Sequence, residues 1–412
     1  MIKIIDSVMG SGKTTYMINY MKNNPNKKFF VVTPFLSEIE RIIKEAPFLK
    51  EPMGTGITKS QHLYHLICEG NNIITTHAMF CKLNFKMIEL IEEAGYTLIL
   101  DEVTNVLNSW NFNTSDDEKN FFAHYGYKDD DGRICWNNEK NNPNTYTYTS
   151  AFYEVMLMCK NETLVYHTEG KYINQFPIKL FKSFEEVYIL TYMFNGSLQK
   201  SYFDLYEMHY ELLTLKDGEL VDYEPLSLEE KTKLKNLINI IDNDKMNFIG
   251  NERNALNVTW YKNNIPLKGR LSQEIKNLKK HITNFFKNKC KDSKVNDNLF
   301  STFKDYEKKL NGSQWNKKFI PFNSRATNEF NHIQNLAYLV NIYPNGDIKS
   351  FLHKKGIKVN AELYALSILI QTIFRTRIRN FDKSDEERII NLYIPSSRMR
   401  NLLKKWLNNE IE

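Results

Sequence analysis

The feature that most constrains this chain lies at residues 2–21, where the sequence reads IKIIDSVMGSGKTTYMINYM. An apolar run, IKIID, is followed by a turn that contains two glycines and then by a segment whose apolar residues have helical spacing. This order of strand, glycine turn and helix is typical of a loop that holds phosphate groups on backbone N–H groups at a helix N-terminus. We therefore expect an α/β fold in which this helix packs on a sheet.

The turn SVMGSGKTT contains the residue types that a phosphate loop requires. Glycine allows the tight turn, a lysine supplies a point charge for phosphate oxygens, and a hydroxyl can hold magnesium. Ser7 stands where the usual pattern has its leading glycine. The sequence predicts a site for a nucleotide with Mg²⁺, in which Lys13 also acts in catalysis. The expected nucleotide-binding residues are Gly10, Ser11, Gly12, Lys13, Thr14 and Thr15.

A pair of adjacent carboxylates follows the apolar run in YTLILDEV. The first, Asp101, can hold Mg²⁺ together with the hydroxyl of Thr14. The second, Glu102, can orient or deprotonate the water that attacks the terminal phosphate. A plain loop with two acidic residues is the alternative interpretation. Because the pair follows a phosphate loop in a predicted parallel sheet, we assign Asp101 and Glu102 to catalysis of nucleotide hydrolysis.

Short apolar runs alternate with helical patterns in the first half of the chain. After IKIID come KKFFVVTPF, NNIITTHAMF, YTLILDE and EEVYILTYMF, with helices expected from Thr14 and from Ser37. Strands that alternate with helices predict a parallel sheet with crossover helices. Residues 105–180 interrupt the pattern with a polar, aromatic and asparagine-rich segment. We interpret that segment as an insertion with hairpin character.

The second half resumes the alternation after a polar stretch, LKDGELVDYEPLS, that has the character of a domain connection. Strands are expected at NALNVTWYK, NLFSTFK, KFIPFNSRATN and IINLYIP. Helices are expected from Leu271, through HIQNLAYLV and around ELYALSILIQTIFRTRIRN. The pattern predicts two α/β domains: residues 1–215, with the phosphate loop and the acidic pair, and residues 216–412.

The bulk composition agrees with a globular protein. The chain has 412 residues, of which 42% are hydrophobic and 25% are charged. Its 5 cysteines are scattered and form neither a zinc knuckle nor a redox pair, which indicates a reducing compartment. No apolar run approaches the roughly 18 residues that a transmembrane helix needs. We expect a soluble protein without structural zinc that acts in the cytoplasm.

Six segments occur in the order of the motifs of superfamily 2 helicases of the DEAD/DEAH-like type: SVMGSGKTT, VVTPFLSEIERI, IITTHAMF, LILDEV, YILTYMF and QTIFRTRIR. Two more, NSRATNEFNHIQNLAYLVN and LYIPSSRMRNLLKKWL, resemble parts of helicase-like proteins encoded by bacteriophages. The resemblance covers most of the chain outside the insertion and the domain connection. It implies two tandem RecA-like domains with parallel sheets, an insertion after the Walker B strand, and ATP bound between the domains.

The resemblance also implies contacts with nucleic acid. The matching segments of the family touch the nucleic-acid backbone, for which hydroxyls and helix N-termini are suited. A cap for the following helix is the alternative role of a threonine at a strand end. Thr191 matches a hydroxyl that couples hydrolysis to domain motion, with Tyr192 in place of a small residue. The expected nucleic-acid contacts are Thr33, Pro34, Thr76, His77, Arg325 and Thr327.

The segment QTIFRTRIRN, in the second domain, is expected to contribute residues to the nucleotide site. Gln371, Arg375 and Arg379 recur at four-residue spacing, which places them along one side of a helix. In the resembling family, an arginine from this segment reaches the γ-phosphate and makes hydrolysis depend on domain closure. Arg375 and Arg379 are both candidates for this arginine finger, and a basic helix face is the alternative.

A basic region between Tyr261 and Ile320 holds 15 lysine and arginine residues against 5 aspartate and glutamate residues, a net charge of +10. The formal charge of the whole chain is only +6. This concentration favours a polyanion as partner, because bound phosphates release counterions. The aromatic residues Trp260, Tyr261 and Trp315 could stack on unpaired bases, with burial in the core as the alternative.

These features predict an ATP-dependent DNA helicase or translocase of phage replication or recombination, acting in a bacterial host. Single-stranded or forked DNA is favoured over RNA. One alternative is a nucleotide-dependent switch that binds a replication or host protein, for example to interfere with host defence. A P-loop phosphotransferase is a weaker alternative, because no arginine-rich lid follows the loop. The nucleotide, DNA against RNA, polarity, oligomeric state and the role of the insertion stay open.

Overall fold

The computed structural model describes residues 1–139, 141, 150–266, 269–290, 294–313, 315, 318–323 and 329–411. Each half of the chain contains one main sheet, and the segment between Asp222 and Leu228 joins them. None of the helices in these ranges is long and apolar enough to cross a membrane.

The first domain contains a large, mostly parallel sheet and two small antiparallel ones. Its strands are β1 (Ile2–Asp6), β2 (Lys28–Thr33), β3 (Ile73–Thr76), β4 (Tyr96–Asp101), β5 (Leu107–Trp110), β6 (Gly126–Lys128), β7 (Ile134–Trp136), β8 (Leu164–Thr168), β9 (Lys171–Gln175), β10 (Glu186–Thr191), β11 (Tyr210–Lys216) and β12 (Glu219–Asp222). The large sheet has the order β12-β11-β1-β10-β4-β2-β3, in which only β12 is antiparallel to its neighbour. Its central strands are almost entirely buried, as expected for a sheet covered on both faces.

Most helices of the first domain cover the two faces of this sheet. The helices of this domain are α1 (Lys13–Asn23), α2 (Leu36–Glu45), α3 (Lys59–Cys68), α4 (His77–Phe80), α5 (Phe85–Ala94), α6 (Ser115–His124), α7 (Tyr153–Lys160), α8 (Ile178–Lys182) and α9 (Leu198–Leu205). Two of them, α6 and α7, pack in the insertion. Polar side chains define several of their starts. Thr58, Asn84 and Thr114 each accept a hydrogen bond from a backbone N–H in the first turn of α3, α5 and α6, respectively. The helices expected from Thr14 and from Ser37 are confirmed.

The insertion after β4 forms a small unit of its own. β5, β9 and β8 make an antiparallel sheet, and β6 pairs with β7 as a hairpin. Aromatic residues dominate its core, where Phe121, Trp136 and Tyr172 are all buried. The position of the predicted insertion and its hairpin character are confirmed. Residues 142–149 of that segment lie outside the described part of the chain.

The second domain is built on a parallel sheet. Its strands are β13 (Ile238–Ile240), β14 (Asn298–Thr302), β15 (Phe319–Pro321), β16 (Asn335–Tyr338) and β17 (Ile390–Tyr393), in the order β13-β17-β16-β14-β15. Its helices are α10 (Leu228–Leu237), α11 (Asp244–Asn247), α12 (Val258–Asn264), α13 (Gln273–Asn284), α14 (Glu307–Leu310), α15 (Gly346–Lys354), α16 (Ala361–Ile373), α17 (Asp385–Arg388) and α18 (Ser397–Leu407). The predicted fold class is confirmed as α/β, with two domains built on parallel sheets and an insertion after β4.

Two local predictions in the second half are wrong. NALNVTWYK is not a strand, because the side chain of Asn257 accepts a hydrogen bond from the N–H of Trp260 and starts α12. HIQNLAYLV is not a helix, because its centre forms β16. All four residues of β16 are buried. An apolar run buried on both faces does not reveal by its periodicity whether it is a strand or a helix.

The division between the two domains is less simple than the predicted boundary at residue 215 indicates. That boundary falls inside the hairpin of β11 and β12, which extends the first sheet to Asp222. In addition, α15 packs Ile348, Phe351 and Leu352 into the core of the first domain. Asp347 at the start of α15 also pairs with Lys171 of the insertion at 2.6 Å. A helix from the second half therefore completes the first domain.

Candidate nucleotide-binding site

The phosphate loop, residues 7–14, connects β1 to α1 at the carboxyl edge of the first sheet. Gly10 and Gly12 have φ angles of +89° and +90°, in the left-handed region that glycine adopts without steric cost. Gly12 directly precedes the first turn of α1, whose backbone N–H groups point toward the loop. Of the other predicted residues, Ser11 and Thr14 are partly buried and Thr15 is exposed. The backbone geometry is that of a phosphate site.

The ammonium group of Lys13 lies inside this loop. Its Nζ donates hydrogen bonds to the carbonyl oxygens of Ser7, at 2.5 Å, and of Val8, at 3.1 Å. Burial lowers the pKa of Lys13, and three nearby carboxylates, led by that of Glu102, oppose this effect. The loop thus places one cation close to several acidic groups.

The predicted acidic pair lies at the same edge of the sheet. Asp101 ends β4, and β10 separates β4 from β1, so the pair stands two strand spacings, about 10 Å, from the strand that enters the loop. Burial, with a contribution from Glu102, raises the pKa of Asp101 to about 7. Glu102 has a φ of +69°, and its N–H donates to the carbonyl of Leu190 at 2.8 Å. The sheet therefore brings the acidic pair and the loop together.

Magnesium takes oxygen ligands and keeps several of its water molecules, so it needs few ligands from the protein. The hydroxyl of Thr14, in the first turn of α1, and the carboxylate of Asp101 form a donor set of this kind. Groups of three or more His, Cys, Asp or Glu side chains that could hold a metal are absent from the described residues. The donors present fit Mg²⁺ that is held mainly by a bound triphosphate, with Thr14 and Asp101 as its protein ligands.

Sequence reasoning missed Asp6, the last residue of β1. Its side chain is 2% exposed, and its two carboxylate oxygens accept hydrogen bonds from the N–H groups of Met193 and Phe194, both at 2.8 Å. Met193 has a φ of +58°, and these bonds hold it in that conformation. Burial raises the pKa of Asp6 to about 6. An acidic residue directly before the glycine turn is the signal in the sequence that identifies it.

The segment after β10 links the acidic pair to the second domain. Thr191 ends β10, and its hydroxyl donates a hydrogen bond to Oε2 of Glu102 at 3.4 Å. The next two side chains, Tyr192 and Met193, are buried in the core of the second domain. Tyr192, which stands where the resembling family has a small residue, therefore fills the domain interface. This geometry suits a segment that connects the chemistry of Glu102 to movement of the second domain.

The second domain also contacts the phosphate loop directly. Val8 and Met9 of the loop pack against its core. A methyl group placed on Gly10 would lie 2.6 Å from Cε2 of Phe381 and 3.5 Å from the carbonyl oxygen of Arg379. The loop is therefore enclosed by both domains.

The three residues predicted along one side of a helix do not share a helix. Only Gln371 lies in α16, because that helix ends at Ile373. Arg375 follows in a turn, and Arg379 is the last residue of a 3₁₀ helix. Extended backbone one residue after Arg375, with a ψ of −177°, ends the helical run. Four-residue spacing in the sequence therefore does not place these side chains on one face.

The structure separates the two candidate arginines. Arg375 is 5% exposed and lies in the interior of the second domain. Arg379 is partly buried at the domain interface, where burial lowers its pKa and Glu38 of α2 opposes that effect. Gln371 lines an interface cavity of about 170 Å³ together with Thr191. Of the two arginines, Arg379 is the one that lies beside the loop.

A cleft of about 660 Å³ lies between the domains next to this site. The first domain lines it with Pro34 and His77, two of the predicted nucleic-acid contacts. The second domain lines it with residues that include Lys304 and Asn323. Nε2 of His77 also lies 2.8 Å from the carbonyl oxygen of Asp101, within hydrogen-bonding distance. His77 therefore links the cleft to the backbone of Asp101.

Two other predicted contacts have different surroundings. Thr33 is fully buried at the end of β2, so its side chain is not accessible to a nucleic-acid backbone in this structure. The hydroxyl of Thr76 accepts a hydrogen bond from the N–H of Met79 at 3.3 Å and caps α4, which is the alternative role considered for it. Arg325 and Thr327 lie outside the described residues.

The aromatic residues that flank the basic region belong to the core. Tyr261 is 0% exposed and Trp315 is 1% exposed. The hydroxyl of Tyr261 donates to the carbonyl of Leu339 at 2.7 Å, and Trp260 packs against the same cluster. Burial in the core, the alternative to base stacking, is confirmed for Tyr261 and Trp315.

The parallel sheet, the glycine turn after β1 and the acidic pair after β4 define a P-loop α/β protein whose second domain covers the loop. The chain is 36% identical over 422 residues to the SPbeta prophage-derived protein YonV of Bacillus subtilis strain 168, and the alignment covers 99% of each chain. The family model of the YonV C-terminal Rossmann-like domain matches residues 232–407, which contain the second sheet. The chain belongs to the YonV family.

A more remote likeness exists to the solved structure of Xpd4 from S. tokodaii. The superposition covers 98% of this chain and 94% of the other, with 11% sequence identity and a TM-score of 0.41. A TM-score of this size does not establish a common fold. The class of the protein therefore rests on its own strand order and phosphate loop.

Proposed function

We propose that the protein is an ATPase that works as a DNA helicase or translocase, with ATP and Mg²⁺ at the interface of its two domains. The observation that carries the proposal is the contact of Phe381 and the Arg379 backbone with Gly10 of the phosphate loop. Because the second domain covers the loop, its charges can act on a nucleotide only while the domains are closed. Hydrolysis would then depend on domain motion.

Each residue of the site has a distinct role in this proposal. Lys13 and the loop N–H groups hold the phosphates, while Thr14 and Asp101 hold Mg²⁺, which neutralises phosphate charge. Glu102 orients a water molecule and accepts its proton as the water oxygen bonds to the γ-phosphorus. The bond from that phosphorus to the bridging oxygen breaks, and Arg379 stabilises the charge that develops.

The segment after β10, which contacts the acidic pair, would transmit the change from bound to hydrolysed nucleotide to the second domain. Thr191 bonds to Glu102, and its neighbours Tyr192 and Met193 are embedded in the second core. Opening and closing of the domains would change the width of the cleft that Pro34 and Lys304 line. A polymer held in that cleft would be gripped and released once for each nucleotide hydrolysed.

Two further observations support a nucleic-acid partner in a phage setting. The region from Tyr261 to Ile320 carries a net charge of +10, which suits a polyanion. The relative in Bacillus subtilis is prophage-derived and matches this chain over its full length. We therefore place the activity in phage replication or recombination, in the cytoplasm of a bacterial host.

The direct test is steady-state ATP hydrolysis by the purified protein alone and with single-stranded DNA, duplex DNA, forked DNA or RNA. We expect strong stimulation by one polymer that weakens as salt is raised. Lys13→Ala should abolish turnover, and Glu102→Gln should bind ATP with turnover reduced by a large factor. Turnover that is absent in the wild type, or unchanged in Glu102→Gln, would rule out the proposed chemistry.

The same experiment separates the motor from a nucleotide-dependent switch. Hydrolysis that none of the polymers alters would favour a switch or interaction protein. Domain closure would then set the conformation of the protein and would not move it along a polymer. Strand displacement on a forked substrate, with Glu102→Gln as the matched inactive control, would distinguish a helicase from a translocase that does not separate strands.

A further inference from the structure

The basic region contains lysines that acidic side chains do not neutralise. Within the part of the chain that the structure describes, the lysine and arginine residues between 262 and 318 form no ion pairs. Elsewhere, ion pairs are frequent, for example between Lys27 and Glu186 or between Lys200 and Asp204. The positive charge of this region is therefore available to a partner.

α13 and the π-helical turn after it, Phe285–Lys289, concentrate this charge. Together they carry five lysines and one acidic residue, Glu274. Lys276, Lys280 and Lys287 are exposed, and the four-residue separation of the first two returns to the same side of α13. The three lysines thus form a basic row along α13 and the π-helical turn that continues it.

An open groove of about 490 Å³ runs beside this row, between α11 and α13. Asp242, just before α11, is held by Arg400 at 3.4 Å and by Lys404, so its charge is compensated. An exposed acidic residue, Asp244, lies on α11 but does not line the groove. The side chains that line the groove are mainly basic or amide groups: Asn243, Lys245, His281, Asn284, Asn288 and Lys289.

An exposed aromatic ring lies at the same place. Phe248, three residues after Lys245, is 75% exposed, the highest value among the large hydrophobic side chains of the described residues. It begins a 3₁₀ helix that contacts α13, the helix that forms one side of the groove. Core packing does not explain a phenylalanine this exposed, and an aromatic face next to lysines suits an unpaired base.

We propose that this α13 surface, formed by Lys245, Phe248, Lys276, Lys280 and Lys287, binds single-stranded nucleic acid. The lysines neutralise phosphates and the ring stacks on a base, so the contact does not depend on sequence. The surface is the outer side of α13, whose apolar side packs on the second sheet in one core cluster with Phe300 of β14 and Tyr393 of β17. Because one domain supplies it entirely, it keeps its shape when the domains move. The protein would retain the strand while the cleft is open.

The test is fluorescence anisotropy with a labelled oligothymidine of about 20 nucleotides, without nucleotide or metal, from about 50 to 200 mM salt. The wild type should bind the oligonucleotide. Lys280→Glu/Lys287→Glu should weaken binding roughly tenfold and reduce the slope of log affinity against log salt by about 1.4, because about 0.7 is lost per phosphate contact. The matched control, Lys349→Glu in α15 with Lys355→Glu directly after it, changes the net charge equally and should leave both quantities near the wild-type values.

Phe248→Ala should weaken single-strand binding at least about fivefold and leave duplex binding unchanged. If the reversed-charge variant does not fold, as judged by circular dichroism, Lys280→Gln/Lys287→Gln serves in its place. An unchanged affinity and salt slope in the folded variant, or no wild-type binding, would overturn the proposal. The assay needs no hydrolysis, so binding that depends on the α13 surface in a protein without ATPase activity would uphold this inference and reject the proposed motor.

Discussion

The ring of Phe381 lies against Gly10 of the phosphate loop, so close that a methyl group on Gly10 would come within 2.6 Å of its Cε2 atom. The guanidinium of Arg388 lies over the same ring, 4.7 Å from its centre. The aromatic ring is thus placed between a second-domain cation and the loop. Glycine at residue 10 leaves room for this ring as well as allowing the positive φ angle.

Gly10→Ala should therefore lower the free energy of unfolding more than Gly12→Ala does. Both glycines have φ near +90°, so alanine costs about 1–2 kcal/mol at either residue. Only at Gly10 must a neighbour also move, because no atom lies within 4 Å of a methyl group on Gly12. Urea denaturation measures both costs. The double variant Gly10→Ala/Phe381→Ala should lose less stability than its two single changes added together. Equal losses for the two glycine variants would contradict the contact.

Arg379→Ala should reduce ATP turnover by a factor of about 10³ or more while ATP affinity stays close to the wild-type value. Arg379 lies beside the loop, whereas Arg375 is 5% exposed inside the second domain. Arg375→Ala should instead lower the free energy of unfolding by about 1–3 kcal/mol, because buried polar contacts are lost. Single-turnover kinetics and urea denaturation of both variants separate these effects. A larger loss of turnover in folded Arg375→Ala would reverse the assignment.

Stability should depend on pH through the buried aspartates. Burial raises the pKa of Asp101 to about 7 and that of Asp6 to about 6, from the usual 3.8. Between pH 4 and 7 the folded protein therefore binds protons that the unfolded chain has released, so its stability falls as pH rises. Without Mg²⁺, Asp101→Asn should be more stable than the wild type at pH 8, by at least about 1 kcal/mol. Denaturation at pH 5 should show a smaller difference. A difference independent of pH would contradict the raised pKa.

Phe351→Ala should destabilise the first domain although the residue lies in the second half. Phe351 of α15 is 3% exposed and packs in the first core, so truncation should cost about 3–5 kcal/mol. Hydrogen exchange should accelerate in β5 and β9, which α15 contacts. Asp347→Asn, the matched control in the same helix, breaks a half-exposed ion pair with Lys171 and should cost less than about 1 kcal/mol. Faster exchange confined to the second sheet would contradict this packing.

Local signals in the sequence identified the residues of the candidate site. The phosphate loop and the acidic pair depend on a few adjacent residues, namely glycines before a helix and carboxylates after an apolar strand. These features can be recognised without reference to the rest of the chain, because the backbone conformation at Gly10 and Gly12 is set locally. The acidic residue at the end of β1, Asp6, was equally visible, but its role depends on hydrogen bonds to residues far along the chain.

Long-range packing explains where the structure differs from the predictions. Thr33 has the residue type and strand-end position of a phosphate contact, yet neighbouring elements bury it completely. The spacing of Arg375 and Arg379 indicates one helix face, yet the chain extends at residue 376, Arg375 is buried inside the second domain, and the backbone of Arg379 lies beside the loop. HIQNLAYLV became β16 because it lies between two strands of a buried sheet.

The sequence by itself determined the α/β class, the phosphate loop, the acidic pair and the position of the insertion, because each depends on short-range conformational preferences and strand–helix alternation. Only the tertiary structure decided that α15 completes the first core and that Phe381 and Arg379 lie over Gly10. It also decided that, among the residues the structure describes, no acidic side chain pairs with the lysines of α13. Those facts depend on contacts between residues that are far apart in the chain. Their formation is governed by burial and shape across the whole fold, which no local pattern encodes.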